Sequence, residues 1–263
     1  MKRLFRIYGI FVVLDLKRMM EYKGDFLIGV ISVFLQQAVN IIFLWVIFNQ
    51  IPALDNWTID QIIFIYGFSL LPKGLDHLLF DNLWIFGYSV VANGDFDKYL
   101  TRPINSLLHV LIEKFQLDAL GEILIGILLL SASITQVGID WNILNIALFI
   151  IVIPFATLIY TSIKIATAAI AFWTKRSGNI TFMFYQINDF AKYPTTIYNR
   201  LIQNTITYII PFAFTAFYPA SYFLTGENPL FNIGGVILVS IVALIISVVI
   251  WNAGVSAYES AGS

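Results

Sequence analysis

Long stretches of this sequence carry no charge and alternate with neither the period of a half-buried helix nor that of a strand. Residues 26–48, 142–163 and 230–251 contain no Asp, Glu, Lys or Arg. Each is long enough for the bilayer core, which takes about 20 residues at helical rise. A helix that is apolar all round must be covered by protein or lipid, so these three read as membrane spans, the second extending to 173 and the third to 256. Pro154 interrupts the second, which a packed membrane helix tolerates. Two more stretches are mixed. Residues 104–134 end in ILIGILLL but begin with His109, Glu113, Lys114, Asp118 and Glu122, as a long helix would whose first turns stand in cytoplasm. Residues 61–86 open apolar and then meet Lys73, Asp76, His77 and Asp81, and are a span by context more than by hydropathy.

The stretch 177–224 has two readings. One is a short span over 177–192 followed by a re-entrant, proline-broken hairpin over 193–224. The other leaves 177–200 in the cytoplasm and spans with 201–224. Pro211 and Pro219 favour broken helices, which survive at membrane depth when buried in protein. Both readings give six spans and put the two termini on one side. Lysines and arginines fix which side: Lys2, Arg3, Arg6, Lys17, Arg18 and Lys23 precede the first span, and Lys98, Arg102, Lys175 and Arg176 follow the second and fourth. The opposite loops, 49–60 and 131–141, have none, so both termini are expected in the cytoplasm. Lys192 and Arg200 fit the second reading better. Residues 1–23 mix Leu4, Phe5, Ile7, Tyr8, Phe11, Val12 and Leu14 with basic residues over a run too short to span. They suit an amphipathic helix lying on the inner leaflet, the plainer alternative being a basic tail.

Composition agrees with the pattern: 59% of 263 residues are apolar and 12% charged, and the mean hydropathy is +0.82. A net charge of −1 gives no case for a nucleic-acid partner. The absence of cysteine excludes disulfides, thiolate metal sites and cysteine nucleophiles. No cleavable leader is read in MKRLFRIYGIFVVLDLKRMMEYK, where charges follow a short apolar run. No GxxxxGK[ST], HExxH or GxSxG pattern occurs, and His77 and His109 are the two histidines, so neither a nucleotide site, a metal centre nor an active site is expected in this chain. Charges inside spans are the remaining candidates, since lipid penalises each by a few kcal/mol. Lys114, Asp118 and Glu122 fall at i, i+4 spacing on the third span, where Lys114 can pair with Asp118. That stripe is either a proton or cation path or a helix face packed near the cytoplasm. Lys164, in the inner third of the fourth span, can snorkel toward headgroups.

The loop 93–103, NGDFDKYLTRP, stands apart. Gly94 allows a sharp turn, Asp95 can cap a short helix, and Phe96, Tyr99 and Leu100 share one face of it. Pro103 resets the chain before the next span. Such a helix suits docking into a groove of another protein; the alternative is an interfacial turn with its aromatics among headgroups.

GDFDKYLTRP resembles the segment between the second and third spans of ABC-2-type exporter permeases, particularly a small six-helix subfamily of about 260 residues similar to viologen and multidrug exporter permeases. The resemblance recurs at KYPTTIYNRLIQNTITYIIPFAFTAFYPASYFL and at WNAGVSAYESAGS, in the same order along the chain. It implies an all-α polytopic protein of the bacterial cytoplasmic membrane, with an N-terminal interfacial helix over 1–23 and a coupling helix over 93–103. Gly94, Asp95, Phe96, Asp97, Lys98, Tyr99, Leu100, Arg102 and Pro103 would receive an ATPase subunit. The segment 193–224 would be an extracytoplasmic hairpin whose Tyr193, Pro194, Pro211, Tyr218 and Pro219 form a gate. Implied partners are an ATP-binding cassette ATPase, which alone binds ATP and magnesium, a second permease (the same or a related chain) and membrane lipid. Cavity walls would come from spans one, two and five; Phe34, Gln36, Gln37, Asn40 and Phe43 suit either a translocation path for an amphipathic cargo or helix packing. A proton-driven transporter using Lys114, Asp118 and Glu122 is the rival.

Overall fold

A computed structural model of the chain describes residues 2–260, with side chains from Tyr8 onward. The side chains of Lys2, Arg3, Leu4, Phe5, Arg6 and Ile7, and the last residues of the WNAGVSAYESAGS pattern, lie outside the described residues. Everything described is helix, turn or loop, without a strand.

Helix α1 (Lys2–Glu21) turns at Tyr22 into α2 (Lys23–Phe48). A short loop leads to α3 (Ile59–Phe80), which opens on a capping box: Thr58 accepts from the Gln61 backbone while the Gln61 side chain accepts from Thr58, satisfying two otherwise orphaned donors. After α3 come α4 (Asn82–Ile85), a wide π turn over Phe86–Val90 and the four-residue α5 (Asp97–Leu100). Then follow α6 (Ser106–Ile112), α7 (Leu120–Ser133), α8 (Ile143–Ala169), α9 (Ala171–Thr174) and α10 (Gly178–Ile187). Beyond them are α11 (Arg200–Asn204), α12 (Phe217–Thr225) and α13 (Gly235–Ala257).

Among the described residues, four helical stretches are long and apolar enough to cross a membrane: Lys23–Phe48, Ile59–Phe80, Ile143–Thr174 and Leu230–Ala257. The third expected span is not one helix. Ser106–Ile112 and Leu117–Ser133 meet at a 63° bend, and residues between them leave the helical ladder. The freed backbone donors find other acceptors: Gln116 donates to the Leu78 carbonyl at 3.0 Å and Phe115 to the Asp15 carboxylate of α1 at 2.8 Å. Such replacement is what a break away from water requires. The bend also separates Lys114, which lies in the break, from Asp118 and Glu122, which stay on the Leu117–Ser133 half. The fifth expected span, 177–192, contains only the ten residues of α10 and a 3-10 turn, Asn188–Phe190. No continuous helix runs through 201–224: α11, a π turn (Thr205–Ile209), a 3-10 turn (Phe212–Thr215) and α12 divide it. A single helix over 201–224 is therefore not formed.

Helices α3, α7, α8 and α13 make the body, α3 lying along α7 and α8, and α13 along α8. α3 and α7 approach most closely at glycines: a Cβ on Gly126 would meet the Gly67 carbonyl at 3.0 Å, and one on Gly67 the Leu130 amide at 3.1 Å. Small residues at such crossings let membrane helices gain van der Waals contact. Gly126→Leu is expected to force the pair apart at about 1–3 kcal/mol, read as a lower thermal midpoint in detergent, whereas Gly24→Ala, with open space around it, should match wild type.

Two cores occupy opposite ends. At one, Phe64, Phe68, Val152 and Ala156 pack with Phe214, Phe217 and Phe223 from the broken segment, beside Trp57 and Trp141 of the loops before α3 and α8. At the other, Phe86, Phe96, Tyr99, Phe172 and Trp251 interlock. Outer faces of α2 and α13 are apolar and exposed, with Ile28, Leu35, Val39 and Ile245 among them, as lipid contact requires.

Candidate functional site

At the Phe96 end the chain turns sharply at Gly94, φ +75°, and α5 follows. Asp95 does not cap it: the residue before α5 is Phe96, with no side-chain cap. Nor do its aromatics face outward as the docking expectation required. Phe96 and Tyr99 are buried, Phe96 against Phe172 at 4.8 Å and Phe86 at 5.7 Å between ring centres. Asp95, Asp97, Lys98, Leu100, Arg102 and Pro103 are exposed instead. A four-residue helix cannot hold itself, and α5 is braced on both sides. Lys98 reaches Glu113 at 3.1 Å and Tyr99 donates to the same carboxylate, which Asn82 also contacts at 3.3 Å. Burial first, and Glu113 beside it second, push the Tyr99 phenol's pKa upward, so it remains a donor across physiological pH. On the far side Asp97 accepts from Tyr258 at 3.1 Å and Ser260 at 2.6 Å.

In mid-body, five elements converge on a charge cluster that sequence spacing does not assemble. Lys164 of α8 is fully buried and does not snorkel; it pairs with Asp76 of α3 at 2.8 Å and lies 3.7 Å from Asp81. Thr161 donates to Asp76 at 2.8 Å. Glu122 of α7 meets His77 Nδ1 at 3.0 Å and Lys73 at 3.8 Å, and the Tyr185 hydroxyl of α10 meets His77 Nε2 at 2.7 Å. A neutral imidazole satisfies both ends, Nδ1–H donating to Glu122 and Nε2 accepting from Tyr185. Lys114 pairs with Asp81 at 4.0 Å, not with Asp118, so the stripe expected on the third span is scattered over different partners. These charges are stable in an apolar body because nearly every one has an opposite partner.

A polar cavity of about 370 Å³ opens beside the cluster, bounded by Gln36 of α2, Lys73 and His77 of α3, Asp118, Tyr185 of α10 and Asp189 of the turn after it. Asp118 accepts from the Leu120 backbone through its carbonyl, and its side chain borders the cavity. Of the residues expected on a translocation path, Gln37 is buried and receives the Tyr66 hydroxyl. Asn40 accepts from Lys192 at 3.5 Å. Phe34 points outward and is 40% exposed. Three of the five residues expected at a gate lie in the broken segment: Pro211 opens the 3-10 turn, Pro219 sits buried in the first turn of α12, and Tyr218 meets Thr207 at 3.0 Å. Tyr193 lies nearer mid-body, beside Lys192, while Pro194 precedes the short Thr195–Ile197 turn.

The arrangement has no group of metal ligands among the described residues. What it offers is a bent helical body with a braced turn at one end, broken prolyl turns at the other and a charged cavity between. The Lys164–Asp76 pair was readable in principle, since a lone lysine in one apolar span needs an acid at matching depth in another.

A family model described as ABC-2 family transporter protein matches residues 34–262. No curated protein and no solved structure matches the chain. The match covers well over half the sequence, and the chain belongs to the ABC-2 transporter family: it is a multi-pass membrane protein, the permease of an ABC transporter, a role that associates it with an ABC ATPase subunit.

Proposed function

We propose that this ABC-2 family chain is the membrane-spanning half of an ATP-driven exporter in a bacterial cytoplasmic membrane. It carries an unidentified amphipathic or drug-like cargo outward by alternating access. ATP and magnesium are bound and hydrolysed by the separate ATPase, and this chain catalyses nothing itself. Both termini face the cytoplasm, α1 lies on the inner leaflet with Ile10, Val13 and Leu14 toward lipid, and α5 is the coupling helix. α10 is the short fifth span, and 193–224 is the re-entrant gate.

The observation that carries the reading is α5: a turn too short to be stable alone, tied to the body from both sides, with Asp95, Lys98 and Leu100 turned outward. A second permease, the same chain or a related one, is supported by the open side of the cavity. There Gln36, Gln186 and Asp189 are exposed, the Asp189 side chain by 55%. Such groups facing acyl chains would cost several kcal/mol, which a facing protomer and a shared aqueous cavity remove.

The test is purification of the chain alone and together with the ABC ATPase that co-purifies with it. ATP turnover is expected only in the second preparation. Turnover by the isolated chain would sink the proposal. The rival, a proton-driven carrier, loses Lys114 from its stripe at the 63° bend; efflux that persists without ATP and collapses with the proton gradient would favour it.

A further inference from the structure

Asp97 lies in α5, yet both its carboxylate oxygens are held by the segment just beyond α13, far away in sequence. Tyr258 donates to one at 3.1 Å and Ser260 to the other at 2.6 Å. The Tyr258 ring lies 5.0 Å from Phe96 and 6.0 Å from Phe172, and Trp251 of α13 packs on both Phe86 and Phe172. A Cβ on Gly254 would strike the Phe172 ring, so α13 and α9, the short helix that follows α8, are in direct contact there. The opposite brace, through Glu113, runs to Asn82 and the α6–α7 bend, toward the helices that bound the cavity.

We infer that Tyr258 and Ser260 are positioning residues for energy coupling: they strap α5 to α13, so that a push on the turn moves the rear helices α8 and α13 together with the cavity wall rather than merely tilting the loop. Two hydroxyls on one carboxylate suit this role, because a charge-assisted pair fixes both position and orientation. Without the strap, the polar hold on α5 comes through Glu113 alone, and the push is absorbed by rotation of the turn about the buried Phe96 ring.

The inference rests on the export reading, and the experiment separates the two. The chain contains no cysteine, so Gln36→Cys on the cavity wall gives a single reporter for a membrane-impermeant maleimide. With the ATPase bound, ATP should change the labelling rate of this reporter. Tyr258→Phe/Ser260→Ala removes only two hydroxyls and keeps the buried ring. It is expected to shrink the ATP-driven change by about fivefold while ATP turnover and ATPase co-purification stay within about twofold. Ser260→Thr, which retains a hydroxyl, should behave as wild type. The inference is overturned if the hydroxyl-free variant responds to ATP as wild type does. It is equally overturned if turnover and co-purification fall in step with the response, which would make the segment part of the docking surface. Should the double variant not accumulate, Tyr258→Phe alone is read in the same way. A reporter that ignores ATP in the wild-type complex would count against the export reading instead.

Discussion

Lys164→Met should destabilise the chain by about 3–5 kcal/mol, as large an effect as any single substitution here. The reason is what remains behind. Asp76 is as fully buried as the lysine it faces, and without Nζ at 2.8 Å its charge retains the Thr161 hydroxyl at 2.8 Å and a long contact from the Tyr185 hydroxyl at 3.4 Å. A carboxylate so placed must either bear the full desolvation penalty or take up a proton. The effect should appear as a markedly lower thermal midpoint in detergent and a lower yield of folded protein. Lys164→Met combined with Asp76→Asn should recover most of the loss, because a neutral pair of similar shape leaves no uncompensated charge and keeps the Thr161 bond. Equal stability of the single variant and wild type would show that the pair contributes nothing. A double variant no better than the single would show that the lysine stem, not its charge, supports the fold.

Phe96→Ala and Leu100→Ala should part company, although both lie in or beside the same turn. Phe96 is enclosed by Phe86, Phe172, Tyr258 and Trp251; truncating it empties the centre of that core, a loss of about 3–5 kcal/mol. Leu100 is 48% exposed, and its truncation should leave the thermal midpoint of the isolated chain within about 0.5 kcal/mol of wild type. If Leu100 meets the ATPase, its loss appears instead as reduced co-purification. A Phe96→Ala chain as stable as wild type, but unable to hold the ATPase, would return Phe96 to the docking role that its sequence position suggested.

That exchange of roles marks where sequence patterning stopped being informative. Charge-free runs at 26–48, 142–163 and 230–251 found three of the long helices, because the physics that makes them visible, exclusion of charge from lipid, acts residue by residue. Gly94 and its turn were legible for a similarly local reason: positive φ favours glycine. The direction in which Phe96 and Tyr99 point was not. Facing one way along α5 is a local property, but whether that way is inward depends on Phe172 and Trp251, which arrive from distant helices. The bend in 104–134 was hidden because its two halves are each good helix, and its cause, the Leu78 carbonyl and the Asp15 carboxylate accepting the freed donors, lies in other elements. The same holds for Lys164: a single lysine among apolar residues reads as a residue near a headgroup until an acid of another helix is placed beside it.

The strap between Asp97 and the Tyr258 segment also constrains the order in which the molecule can be made. The turn at Gly94 leaves the ribosome long before α13, and until then the hollow around Phe96 lacks Trp251 and Tyr258, two of its walls. A half-synthesised chain can insert its early helices but presents an unfinished turn, with an aromatic side chain not yet covered. An ATPase that recognises the finished turn would thus bind only chains in which α13 has been threaded and packed, making assembly of the transporter its own proofreading step.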